Sequence, residues 1–555
     1  MARLWRTLYN SRITCPVSET QFLPLGLMRN TITEEVVKRE VPLWFFKALF
    51  LPDSVPNWVA CKAFRVFAIL ILIDIKEAIR DLVEDQITDD HLPLQVDHGD
   101  GDGDGGILVS NSARRSFKFL STKSWSDAKR QDFIDTQWTV LAPLFSTIGQ
   151  HISLDHRCPL PFVPGGGKVW VKVGDAGTNR VVVYHAQIER SHRIEAFEHY
   201  KHIAVKEFKD QISFEKEASN LEQVQQLNNR HLIKLLGSCE RGSAYYLIFQ
   251  WANGGDLRSF WENRDGLPRT KKLLLWILQQ NLGIIGALRD LHNSKLRHGD
   301  IKPHNIFLFQ FEDGADIESG LLVIGDFGIS RFHTQATVNR VGGTNTAEVT
   351  VLYEAPEAES DRQLNRPRSR KYDIWSLGCM LLEFIVWFVY KFEAVESFRR
   401  RRNASSRDPT TAPGNFFIQP EAGVIELHSQ VLEAIAHLRQ DSRCQEDRAL
   451  GALITLIQQR LLRTDPADRA EASEVYDKFK QIVDTACADP SYLFRSDEPG
   501  HDTPDFFKST NASLPIQLPP TPLSSSSSLE TTFTRDPRNS VGSIQSSVSS
   551  SSREC

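Results

Sequence analysis

The feature that most constrains this chain is a change of hydrophobic period. From Leu160 the sequence runs in short β-branched and aromatic stretches: "KVWVKV" (168–173), "RVVVYHAQI" (180–188), "HIAVKEF" (202–208) and "AYYLIFQW" (244–251). Runs of this composition, punctuated by Gly or Asn, predict strands. Between the last two, Phe214, Ala218, Leu221 and Val224 recur at helical spacing. After Gly255 the helical period takes over, as in "KKLLLWILQQNLGIIGALRDLHN". The prediction is an α+β fold, a β-rich part followed by a helical part. Just inside the second lies "LRHGDIKPHNIFLF" (296–309), where His298, Asp300, Lys302 and Asn305 crowd between two apolar runs. Any one of these alone reads as a polar loop residue capping a neighbouring helix.

Their order with later motifs changes that reading. "HGDIKPHN" is followed by "GDFG" (325–328) and "APE" (355–357), and this succession resembles the protein kinase superfamily over about 160–487. The resemblance implies a bilobal fold, with a β-rich N-lobe and a helical C-lobe, that takes ATP and Mg²⁺ and phosphorylates proteins. By it, Asp300 orients the acceptor hydroxyl and takes its proton, Lys302 contacts the γ-phosphate, and Asn305 and Asp326 bind the metal. Lysine two positions after the aspartate is more similar to Ser/Thr than to Tyr kinases. Hard oxygen donors such as Asn305 and Asp326 suit Mg²⁺. Lys206 of "IAVKEF" matches the strand lysine on the ATP phosphates, and Glu217 is the chosen helix partner, with Glu215 and Glu222 as alternatives. In the hinge "LIFQWANGGDL", Phe249 backs the nucleotide pocket, the backbone of Gln250 and Ala252 faces adenine, and Asp256 is placed for the ribose. The resemblance also implies that Phe327 packs beside His298, that Glu357 pairs with Arg469, that Asp373 anchors the catalytic loop and that Thr350 bridges to it.

Three departures stand out. The phosphate-covering pattern falls on "GDAGTNRV" (174–181), which keeps Gly174 and Val181 but has Ala176 and Asn179 in place of glycines. Glycine permits close backbone approach and positive φ there, so weakened nucleotide binding is expected. "PGGGK" (164–168) lies too far ahead of Lys206 and reads as a turn entering a strand. Gly299 stands where many kinases have an arginine that reads a phosphate on the activation loop, so little dependence on phosphorylation of Ser330, Thr334, Thr337, Thr344 or Thr346 is expected. Finally, the four arginines of "SFRRRRNASSRDPTTAPG" read as a solvated polar loop, with a substrate-docking or nuclear-import patch as the alternative.

The flanks are less informative. Asp100, Asp102 and Asp104 alternate like calcium ligands, but Asn111 stands where a bidentate Glu is needed, so an acidic linker is preferred. The "VFAILILIDI" run (66–75) is too short to span a bilayer and predicts a buried helix. From about Asp489 the chain turns Ser- and Pro-rich, which predicts disorder, and Thr503-Pro504 and Thr521-Pro522 are candidate modification sites within it. The expected organisation is a helical leader at 1–95, a linker at 96–112, a helical segment at 113–158, the kinase domain at 159–487 and a disordered tail at 488–555. Leader and tail are candidate surfaces for protein partners.

A net charge of −5 gives no global support for nucleic-acid binding. Eight scattered cysteines suggest neither a disulfide framework nor a metal cluster. With no secretory signal pattern at the start, a soluble cytoplasmic protein is expected, the nucleus being the alternative. The leading functional expectation is an active Ser/Thr kinase, and the rival is a pseudokinase scaffold.

Overall fold

The computed structural model describes residues 2–41, 54–97, 107–110, 116–117, 125–166, 182–310, 320–329, 352–364, 369–405, 414–421, 424–494 and 503–508. Gly174, Val181 and the rest of the glycine-poor loop, the activation-loop Ser and Thr residues, Thr350 and the alternating aspartates lie outside them, as does the "KVWVKV" stretch.

The β-rich lobe is a six-stranded sheet. Its strands in chain order are β1 (Gln150–Leu154), β2 (Phe162–Pro164), β3 (Val182–Ile188), β4 (Ile203–Phe208), β5 (Leu235–Arg241) and β6 (Ala244–Gln250). Their spatial order is β1-β5-β6-β4-β3-β2. Every pairing is antiparallel except β1 with β5, where Gly237 lies opposite Gln150. The 113–158 segment is therefore not only helical, because its last part contributes β1 to the kinase sheet. "QHISL" is hard to read as a strand from sequence because half-buried and exposed positions alternate along it and none of its five residues is fully buried.

Helix α1 (Gln211–Gln225) packs on this sheet. Asp210 caps it by accepting from the Ser213 N–H at 2.8 Å, and its buried face carries Phe214, Glu217, Leu221 and Val224. The helical lobe follows with α2 (Leu257–Asn263) and α3 (Lys271–Asn293), the latter capped by Thr270. The hairpin of β7 (Ile306–Phe309) and β8 (Leu321–Ile324) then flanks the candidate site. After it come α4 (Lys371–Ser405), α5 (Ser429–Gln440), α6 (Ala449–Leu456) and α7 (Ala472–Ala488). One continuous apolar core joins α1, the β7–β8 hairpin and these helices.

Two expectations are corrected here. The arginine run is not a polar loop: residues 399–402 lie on α4, beyond a break at Lys391 (φ 73°), and Arg402 is fully buried. Nor does disorder begin cleanly at 488. Leu493 is buried against the helical lobe, and Phe506 and Phe507 pack on Tyr390 and His437.

The leader forms a second core. Leu8, Phe67, Ile69 and Leu94 share it with Trp125, Phe133 and Val140, so residues on both sides of the expected linker belong to one unit. Strands Leu94–Asp97 and Ile107–Ser110 pair with each other, so part of the expected linker at 96–112 is itself strand. The helix Phe64–Leu72 is buried along most of its length, as its composition predicts. This unit meets the sheet at His192, whose Nε2 accepts from the Leu25 N–H at 3.0 Å while Nδ1 donates to the Pro143 carbonyl at 3.0 Å.

Candidate active site

Lys206 sits on β4 opposite Val183 on one side and Leu247 on the other, which fixes the side from which its ammonium leaves the sheet. Its Nζ lies 2.7 Å from both Glu217 carboxylate oxygens and 3.0 Å from Asp326 Oδ1. Of the three candidate glutamates, Glu217 is the partner; Glu215 instead accepts from Gln211 at the helix surface. Burial would lower the Lys206 pKa, but Asp326 and Glu217 outweigh it and hold the ammonium above its ordinary range.

Asp326 adopts φ 64°, a left-handed backbone that lets it turn toward the lysine while Phe327 points the other way. Phe327 is buried edge-on against His298, with ring centroids 4.9 Å apart. A Cβ on Gly328 would come within 2.8 Å of Glu217 Oε2, so any larger residue there would push the carboxylate off its contact with Lys206. Asn220, which sequence reasoning passed over, donates to the Phe327 carbonyl at 3.0 Å. Its signal was its place one turn beyond Glu217 on the same helix face.

The loop at 298–305 is held from below by Asp373. This carboxylate is fully buried and accepts from the His298 N–H (2.9 Å), the Gly299 N–H (2.7 Å) and His292 Nε2 (2.9 Å). Burial alone would raise its pKa, yet His292, His298 and the Gly299 N–H together depress it. His292, in the last turn of α3, is a second residue missed from sequence. Gly299 has φ 84°, a conformation that costs other residues about 1 kcal/mol or more. His298 donates from Nε2 to the Gly325 carbonyl at 3.0 Å and accepts at Nδ1 from the Asp300 N–H at 3.2 Å.

Asp300, Lys302 and Asn305 converge. Lys302 Nζ is 2.7 Å from Asp300 Oδ2, and Asn305 Nδ2 donates to that oxygen and to the Asp300 carbonyl, both at 2.8 Å. Asn305 Oδ1 is buried with no hydrogen-bond partner among the described residues. An orphaned buried acceptor is costly, and a hard cation would relieve it, so the residues fit Mg²⁺.

In the hinge, Phe249 is largely buried and Gln250 ends β6. The Ala252 carbonyl accepts from the Gly255 N–H at 3.1 Å. Asp256 caps α2 by accepting from the Ser259 N–H at 2.8 Å, and burial raises its pKa against the pull of that bond. The structure thus gives Asp256 a structural task beside the predicted ribose contact. Downstream, Glu357 meets Arg469 in a two-pronged pair at 2.8 and 3.0 Å.

The protein kinase domain family matches residues 182–478, more than half of the chain. The chain belongs to the protein kinase family. Among its relatives, serine/threonine-protein kinase Nek5 of Homo sapiens is 31% identical over 189 residues, 33% of this chain and 24% of that protein. Serine/threonine-protein kinase Nek1 of Mus musculus is 28% identical over 226 residues, covering 40% and 16%. Mitogen-activated protein kinase kinase kinase 12 of Rattus norvegicus is 25% identical over 300 residues, covering 53% and 29%. The chain thus matches less than a third of the length of each of these three kinases. The matched span of the kinase domain begins at β3, so β1, β2 and the leader lie outside it.

Proposed function

We propose that the protein transfers the γ-phosphoryl group of ATP to Ser or Thr hydroxyls of protein substrates. The observation that carries this reading is that Lys206, locked between Glu217 and Asp326, and the Asp300–Lys302–Asn305 cluster are tied to one short segment, Asp326 following Gly325, whose N–H donates to the Asn305 carbonyl at 2.9 Å.

Phosphoryl transfer asks the protein for positioning and charge neutralisation more than covalent chemistry. Lys302 and Asn305 both engage Asp300 Oδ2, which leaves Oδ1 to accept the hydrogen bond of the acceptor hydroxyl and take its proton. Lys302 also stands ready for the γ-phosphate. Lys206, fixed by Glu217, gives the α- and β-phosphates a cation that needs no reorganisation. Asn305 Oδ1 and the Asp326 carboxylate would hold Mg²⁺, which when bound neutralises phosphate charge. Asp256 is the group for the ribose hydroxyls, and the Gln250 and Ala252 backbone faces adenine. Gly174 and Val181 belong to the loop over the phosphates. The scattered cysteines suit a reducing compartment, and we place the protein in the cytoplasm, with protein partners on the leader or tail.

The test is transfer of labelled phosphate from ATP to generic Ser/Thr substrates by wild type and by Asp326→Asn. Transfer by wild type alone supports the reading. Absence of transfer from folded wild type with Mg²⁺ or Mn²⁺ favours a scaffold, for which Ala176 and Asn179 in place of glycines are the argument.

A further inference from the structure

Outside the candidate active site, Arg402 is a fully buried charge. Its guanidinium lies between the rings of Phe398 and Phe416, 4.0 and 4.1 Å from their centroids. Nε donates to the Gly414 carbonyl at 3.0 Å and one terminal nitrogen to Glu383 Oε1 at 3.1 Å, while the other is buried without a partner among the described residues. Glu383 is itself buried, and its second oxygen accepts from the Tyr353 hydroxyl at 2.5 Å. The Tyr353 carbonyl in turn accepts from Ser376 Oγ at 2.8 Å. Tyr353 directly precedes the residues that end in the Glu357–Arg469 pair. Burial lowers the Arg402 pKa and Glu383 opposes that, so the pair is held at a cost in solvation. A well-packed apolar side chain would stabilise this site as well or better; what it cannot do is fix the orientation of a carboxylate and a phenol.

The same turn of α4 is held from its other side by the tail. Arg401 donates to the Asp505 carbonyl at 3.1 Å and its guanidinium lies 4.8 Å from the Phe506 ring centroid. Ser397 Oγ donates to the Lys508 carbonyl at 3.0 Å. Phe507 is fully buried beside Tyr390, their centroids 4.8 Å apart.

We propose that Arg402 is a positioning residue that fixes residues 352–357 through Glu383 and Tyr353, a segment that by the kinase resemblance of its APE motif shapes the protein-substrate side of the site, and that the docked segment 503–508 keeps Arg402 seated. The kinetic consequence rests on the phosphotransfer reading; the structural one does not. The test uses the full chain with Arg402→Met, Arg402→Lys and the double variant Phe506→Ala/Phe507→Ala. Hydrogen exchange of 352–357 should accelerate in Arg402→Met and, less strongly, in the tail variant, with the strand Ile203–Phe208 unchanged. KM for an acceptor peptide should rise about tenfold, the equivalent of about 1.4 kcal/mol, with KM for ATP unchanged. Arg402→Lys should restore part of both effects. If Arg402→Met fails to fold, Arg402→Lys and the tail variant carry the same comparison. Exchange that rises throughout or nowhere overturns the proposal, as do KM values for ATP and peptide that shift together. Should wild type transfer no phosphate, the functional reading fails while the exchange measurement still decides the role of Arg402.

Discussion

Replacing Glu217 with glutamine is the sharpest probe of the nucleotide side. The change keeps size and shape in a buried position and removes one negative charge. At present Lys206 has two contacts of 2.7 Å to Glu217 and one of 3.0 Å to Asp326. Glutamine offers one acceptor oxygen, and its amide nitrogen would face the ammonium, so one of the two contacts is lost and the other keeps only the ammonium's charge. A hydrogen bond involving a charged group contributes about 1.5–3 kcal/mol, so the lost contact sets the scale of the effect. Lys206 would then be drawn toward Asp326, away from the position proposed for meeting phosphate. If that loss appears wholly in the transition state, kcat/KM falls on the order of 10- to 150-fold. The assay is steady-state phosphate transfer with ATP varied, beside Glu215→Gln, which disturbs only a surface contact to Gln211. Wild-type kcat/KM in Glu217→Gln, or an equal fall in Glu215→Gln, would refute the reasoning.

Other consequences follow from the same geometry. Asp373→Asn should destabilise the helical lobe by about 3–5 kcal/mol, read as a lower midpoint in urea, because one oxygen cannot serve the three donors now on the carboxylate. Since the folded-state pKa of Asp373 is depressed, its contribution is present above about pH 4 and lost as pH falls through the folded value; acid titration of stability in wild type and variant shows this as a slope the variant lacks. Asp89 behaves oppositely. It caps the helix Phe64–Leu72 through the Arg65 and Val66 N–H groups, and burial raises its pKa to about 6. Its contribution is greatest below about pH 4 and declines as pH rises through 6, so thermal melts of Asp89→Asn should lose wild type's slope in that window. Gly299→Ala should cost about 1 kcal/mol of stability by chemical denaturation, because of its positive φ. Phosphatase treatment should leave activity largely unchanged, and its abolition would contradict the reading of Gly299.

The bilobal kinase fold was legible because its period changes sharply and its motifs are local. "HGDIKPHN" places His298, Asp300, Lys302 and Asn305 within one loop, and the spacing of Phe214, Leu221 and Val224 shows which face of α1 turns inward. What was not legible depended on distant partners. An arginine among four looks like solvent-facing charge until Phe398, Phe416 and Glu383 are known to surround it. Asn220 and His292 serve groups more than 80 residues away, so their partners are not visible locally, even though Asn220 shares a helix face with Glu217. The packing of Phe506 and Phe507 was hidden for the opposite reason: two aromatic residues in a polar, Ser- and Pro-rich stretch are too few to shift a compositional reading.

Strand β1 also determines how the molecule can be divided. It covers β5 from Gly237 to Arg241 and comes from outside the matched span of the kinase domain. A chain trimmed to 182–478 would leave β5 as an uncovered edge, with a row of unsatisfied N–H and C=O groups ready to recruit a strand from a neighbouring molecule. Such a fragment should self-associate more strongly than the longer chain, and starting it ahead of Gln150 should reverse that difference.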